Sequence, residues 1–241
     1  MASQKDTLDK AVAFFQKRDG VDKALKICRY TSKLLLKTDV VAPSSHLAQR
    51  LAEFEGSVGI SRKAFRLGKF LQDLDAVRKG PKLSTRDGLL HLIANGFEGA
   101  YYFTEQGIWL AKAGLIDKRH CAPLTKISAW TEFFGYFGSV SLSLLAISST
   151  YRREAELINE LRAQGKTTVG DGSEDDVRLK ELAQLRAKRL LKMIAVAQDA
   201  ADALLALDDM MERKSVLKNP ALLALAGLLS ALIGAYKCWP T

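Results

Sequence analysis

NPALLALAGLLSALIGAY, residues 219–236, runs for eighteen positions without a charged side chain. A helix needs roughly 20 such residues, at about 1.5 Å each, to cross a hydrocarbon core of about 30 Å. A helix packed on a water-soluble core keeps a polar face, and this run has none. It is therefore read as a membrane-spanning helix, with Pro220 suited to its first turn. Its position near the end of the chain predicts insertion after translation.

The remaining composition agrees with a membrane protein that also carries a large polar portion. The 241 residues are 48% apolar and 26% charged, with a net charge of +9 and a pI near 9.4. So basic a chain calls for an anionic partner, either nucleic acid or acidic headgroups. Zinc-finger spacing, RNP-like aromatic strands and a bZIP basic region are all absent from the sequence, so an anionic phospholipid membrane is the expected partner and nucleic acid is not. Cys28, Cys121 and Cys238 are odd in number and far apart, which suits a reducing compartment. The opening MASQKDTLDKAVAFFQKRDG is charged throughout and does not read as a secretory signal.

Helical periodicity dominates the chain, and the expected fold class is all-α: an integral membrane helical protein with amphipathic N-terminal helices and a C-terminal transmembrane helix. Residues 1–83 are expected to form a cytosolic amphipathic region. Within it a first helix covers about 7–17, and a second begins at Asp19 as N-cap with Asp22 completing an acidic capping box. The second helix carries a basic stripe of Lys26, Arg29, Lys33 and Lys37. A long helical region over 44–79 changes its apolar side partway, from Leu47, Leu51, Phe54 and Val58 to Ile60, Ala64, Leu67, Leu71 and Leu74. Gly56 and Gly59 mark the switch, where a break is one of two options.

Residues 84–163 are expected to be membrane-associated helices with one or two further spans, for which 89–108 and 133–151 compete. The first is interrupted by Glu98 and Glu105; the second, FFGYFGSVSLSLLAISSTY, is uncharged. A Gly-rich linker is expected over 164–176. A charged helix follows over 177–214, basic at Arg186, Lys188, Arg189 and Lys192 and acidic at Asp199, Asp202, Asp208 and Asp209.

Two stretches offer sites. Over residues 60–77, Leu67, Phe70, Leu71, Leu74 and Val77 make an apolar face, with Lys63 and Arg66 at its edge and Arg62 and Lys69 on the polar side. A basic amphipathic helix of this kind can lie in a bilayer interface with its long cationic stems reaching lipid phosphates. The same pattern also suits a helix packed inside a bundle. In the terminal run, Ala226, Ser230 and Gly234 form one small-residue ladder and Gly227, Ala231 and Ala235 a second, as at homo-oligomeric helix contacts in lipid. Gly135, Ser139 and Ser143 repeat the spacing. Enzyme chemistry has little support: His46, His91 and His120 lack partners at ligand spacing, so neither metal nor cofactor is expected.

The phrases LDKAVAFFQKRDGVDKALKICRYTSKLLL (8–36), SRKAFRLGKFLQDL (61–74) and LLHLIANGFEGAYYFTEQGIWLAKAGLI (89–116) resemble the peroxin-11 family, peroxisomal membrane proteins that elongate and divide the organelle, in its plant or green-algal form. The resemblance covers essentially the whole chain. It implies a multi-pass peroxisomal membrane protein with both termini cytosolic and a remodelling helix that includes Ile60, Arg62, Lys63, Phe65, Arg66, Leu67, Lys69, Phe70, Leu71 and Leu74. It also implies recruitment of a fission adaptor and a dynamin-related GTPase. One departure is the ending Tyr-Lys-Cys-Trp-Pro-Thr, in which Lys237 alone is no dilysine signal. The leading expectation is membrane elongation before fission by a helix inserted in the cytosolic leaflet. The alternatives are a metabolite pore lined by Glu98 and Glu105, and an adaptor acting through its charged surfaces.

Overall fold

The computed structural model describes residues 6–38, 40–164, 172–211 and 219–240, and every regular element in them is helical. Helix α1 (Thr7–Phe15) opens with a capping box in which Asp6 and Asp9 each accept from the other's backbone N–H. Helix α2 (Arg18–Lys37) begins before Asp19, after a Lys17 that offers no side-chain cap. The capping box expected at Asp19 and Asp22 is therefore not formed. Asp22 lies a full turn inside the helix on its buried face, where two guanidiniums hold it more strongly than a backbone amide can.

Of the two options at Gly56 and Gly59, the break is not the one taken. Helix α3 (His46–Phe65), capped by Ser45, runs unbroken through Gly56 and Gly59, and the chain turns at 66–69 before α4 (Phe70–Lys79). Gly68 has φ +74°, a left-handed conformation that suits glycine and ends α3. Two distant side chains close the turn: Arg18 Nη1 donates to the Leu67 carbonyl at 2.8 Å and Gln106 Nε2 to that of Arg66 at 3.3 Å.

Helix α5 (Arg86–His91), a single π turn (Leu92–Gly96) and α6 (Phe97–Lys112) divide the candidate span 89–108 into pieces. The rival run 133–151 lies inside α7 (Cys121–Gln164), which follows a short 3-10 turn (Lys118–His120). Helices α8 (Gly172–Met210) and α9 (Pro220–Cys238) complete the chain. Residues 165–171 of the expected linker lie outside the described residues, and its end already belongs to α8. Among the described helices, α7 and α9 are long and apolar enough to cross a bilayer. At 44 residues, or about 66 Å, α7 exceeds the hydrocarbon core and carries a charged end beyond it.

Helices α7 and α8 are antiparallel, joined by Arg186 on Glu154 at one level and Ser139 on Asp199 at another. Helix α2 lies antiparallel along α9, and the first and last helices meet where Phe14 stands 5.5 Å from Trp239. The polarity of this bundle is inverted. Leu222, Leu225, Leu229 and Leu232 of α9 point outward, as do Phe137 and Leu144 of α7, whereas Asp22, Lys26, Arg62, Glu105 and Asp202 are buried. Lipid favours that arrangement, because tails solvate leucine as well as protein does and polar groups gain only by meeting one another.

Candidate functional site

The segment expected to bind lipid divides into two sets of residues. Leu67, Leu71 and Leu74 stand on the outside, 53%, 58% and 56% exposed, with Ile60 and Phe65 nearby. Phe70 meets Phe103 edge-on at 5.5 Å and anchors α4 on α6, and Val77 is half-buried. The cations of the same segment turn inward. Arg62, only 5% exposed, donates to both oxygens of Asp22 at 3.0 and 3.4 Å, and Arg66 does the same at 3.2 and 3.3 Å. Arg66 also donates to Tyr101 Oη at 2.8 Å. Lys63 pairs with Glu105, and Lys69 lies 4.8 Å over the Tyr102 ring and 3.4 Å from Asp19. Residues 60–77 are thus not one interfacial helix with lipid-ready cations. The turn at 66–69 separates α3 from α4, and internal carboxylates hold three of the four basic groups.

Behind this surface a cavity of about 1090 Å³ lies among α2, α3, α6, α7 and α8. Its α2–α3 side is basic and its α6–α8 side largely acidic, and several pairs cross it. Lys26 Nζ donates to Asp202 at 2.7 Å and to Ser230 at 2.7 Å, while Arg29 Nε donates to Glu55 at 2.7 Å. Lys26 and Arg29 of the stripe read on α2 therefore face the interior, whereas Lys37 at its end is exposed. Burial pushes the Asp22 carboxyl up, but Arg66 and Arg62 outweigh it and hold that group well below the usual carboxylate range. Burial also draws the Lys23 ammonium down to about 8, aided by Lys26, Arg66 and Lys69 and opposed by Asp22. Glu98 and Glu105 both line the cavity, Glu98 from an exposed position and Glu105 paired as described.

Below α4, Asp73 packs against Gly99 and is only 8% exposed, with Oδ2 lacking a hydrogen-bond partner. Burial and the neighbouring Glu98 raise its carboxyl to about 7 against the pull of Lys69.

The small-residue ladders are occupied within the chain. Gly227, Ser230, Ala231 and Gly234 are buried, and Ala226 and Ala235 half-buried. A Cβ on Gly227 would stand 2.1 Å from the Tyr30 ring, so α2 takes the close approach that was expected of a second copy. In α7, Gly135 lies against Glu98 and Ala94, and Ser139 donates to Asp199 at 2.6 Å.

The residues missed by sequence reasoning are Lys23, Asp22 as an ion partner, and Asp73. A signal did exist for the Lys26–Asp202–Ser230 set, since Asp202 interrupts an otherwise apolar stretch of α8 and such an acid needs a partner.

Comparison with known proteins places this geometry. The family model described as Peroxisomal biogenesis factor 11 (PEX11) matches residues 8–239. The chain is 40% identical to Peroxisomal membrane protein 11A of Arabidopsis thaliana over 235 residues, covering 98% of this chain and 93% of the relative. It is 44% identical to Peroxisomal membrane protein 11-3 of Oryza sativa subsp. japonica, covering 98% and 90%. A more distant likeness, 23% identical and covering 97% and 94%, is to the Peroxisomal membrane protein 11 homolog of Dictyostelium discoideum. No solved structure matches the chain.

Proposed function

The chain belongs to the peroxisomal biogenesis factor 11 family, and from that premise we propose that it elongates the peroxisomal membrane by seating the outer face of α4 in the cytosolic leaflet, with both termini in the cytosol. The observation that carries this reading is the outward row Leu67, Leu71 and Leu74, the first in the turn that precedes α4 and the other two on that short helix. A half-exposed leucine moved from water into acyl chains contributes roughly 1 kcal/mol, about half the full-burial value. Arg78 and Lys79 at the end of α4, both exposed, are the cations free to meet headgroups, although each also reaches Asp75. A wedge in one leaflet expands that leaflet and favours positive curvature. Recruitment of a fission adaptor and a dynamin-related GTPase completes the proposal as the step that follows elongation.

The test is tubulation of anionic vesicles by the reconstituted full chain. Replacing Leu67, Leu71 and Leu74 together by Glu is expected to abolish tubules while α7 and α9 keep the protein in the bilayer. Tubules as abundant as those of the unmodified chain overturn the proposal. The cavity favours a second reading, a pore for small metabolites, and single-channel conductance across a planar bilayer separates the two.

A further inference from the structure

One corner of the polar cavity is short of negative charge. Asp22 is shared by Arg62 at 3.0 Å, Arg66 at 3.2 Å and Lys23 at 3.7 Å, so three cations face one carboxylate. Lys69 adds a fourth, and its partner Asp19 is largely in solvent. Several other charges of the wall are paired one to one. Lys26 pairs with Asp202, Lys63 with Glu105 and Arg29 with Glu55, and Asp199 and Glu132 accept from the hydroxyls of Ser139 and Tyr136. Burial is the main cause of the lowered Lys23 value, and the neighbouring cations Lys26, Arg66 and Lys69 add to it, in agreement with the same excess.

We propose that Lys23, Arg62, Arg66 and Lys69, with Tyr101, form a binding site for a phosphate-monoester group. The Nε and Nη2 groups of both guanidiniums hold Asp22, which leaves their remaining Nη N–H groups and the Lys23 and Lys69 ammoniums as donors for phosphate oxygens, and a dianion balances three cations on one carboxylate better than a second carboxylate does. Arg66 is already oriented by the Tyr101 hydroxyl and by the Tyr102 ring, 5.6 Å from its guanidinium carbon. Lys23 is held to the corner by α9, where a Cβ on Gly234 would stand 2.9 Å from the lysine Cδ. This inference goes beyond membrane shaping and holds whether or not the cavity conducts. A soluble phosphorylated metabolite and a phosphomonoester lipid headgroup carry the same group.

Full-length protein in phosphatidylcholine nanodiscs, titrated with glycerol 3-phosphate by calorimetry, tests the soluble source; nanodiscs doped with phosphatidic acid test the lipid source. Binding in either arm is expected to weaken at least tenfold in Lys23→Met, which keeps the methylene packing on Gly234. The surface variant R153Q, at the exposed α7–α8 end, is expected to bind like the unmodified chain. Independently of any variant, glycerol 3-phosphate is expected to raise the unfolding temperature of the unmodified protein in the first case, and phosphatidic acid in the second, with glycerol and phosphatidylcholine inert. Absence of binding in both arms, equal affinity in Lys23→Met, or an equal loss in R153Q overturns the site.

Discussion

Arg62–Asp22 and Arg153–Glu181 are ion pairs of similar length, 3.0 and 3.2 Å, in opposite surroundings. The side chains of the first are 6% and 4% exposed and those of the second 45% and 41%. Distance therefore says little about what each pair does. At the α7–α8 end water replaces a lost partner, and Arg153 also has Glu156 and Glu160 at 3.6 Å. Under α2 and α3 the side chains are almost wholly buried, and a stranded ion there keeps much of its desolvation penalty. The comparison also shows how the molecule is assembled. The buried charges of α2 pair with α3 and α8 while the leucines of α9 face outward, so α2 docks on α8 and α9 through polar groups, Lys26 on Asp202 and Ser230.

The largest effect is expected from breaking the interior knot. Asp22→Asn leaves Arg62, Arg66 and Lys23 without their shared anion, and the loss is about 3–5 kcal/mol, the range for one partner removed from a buried pair. Unfolding of the detergent-purified chain in denaturant, followed by tryptophan fluorescence, measures it; a midpoint equal to that of the unmodified chain means the knot is solvated. The sign with pH follows from the depressed carboxyl. Its contribution is fully present above the unfolded value of 3.8 and is lost as pH falls below about 4.

Periodicity made the helices and the terminal span legible, because a 3.6-residue pattern and an uncharged run are properties of the chain alone. It did not reveal which face turns inward. The stripe Lys26, Arg29 and Lys33 and the row Leu67, Leu71 and Leu74 define two faces of their helices, and in water the basic face would be outside. Beside lipid the preference reverses, and only the partners Asp202, Glu55 and Asp22 fix it. The break at Gly68 rather than Gly56 was hidden for a related reason. A glycine inside a helix and one in a left-handed turn look alike in sequence, and the side chains that close this turn, Arg18 and Gln106, lie 49 and 40 residues from the carbonyls they bind.

Asp73 stands between the two extremes, buried like the knot yet lacking a partner for Oδ2. Its folded value of about 7 exceeds the unfolded 3.8, so the folded state binds the proton more tightly. Its contribution is then fully present below about 4 and lost as pH rises through 7. The unfolding midpoint of the chain is expected to fall between pH 5 and pH 8, and Asp73→Asn to flatten that part of the profile. An unchanged slope in the variant assigns the dependence to other groups. Because Asp73 fixes α4 to α6, the same window is where the leucine-bearing helix loosens.

The smallest effect belongs to the rim. Arg153 lies in solvent among Glu156, Glu160 and Glu181, three carboxylates that water serves equally well when the guanidinium is removed. Arg153→Gln is expected to leave the unfolding midpoint unchanged within error at 0.15 M salt, a concentration at which the screening length is about 8 Å. Only at low ionic strength is a small decrease expected, since the three acids then repel one another without a cation between them. Asp22→Asn should show no such recovery with added sodium chloride, because screening by bulk salt acts only weakly on charges whose side chains are almost wholly buried. A rim variant as destabilising as Asp22→Asn, or an interior variant rescued by salt, removes burial as the cause of the difference between the two regions.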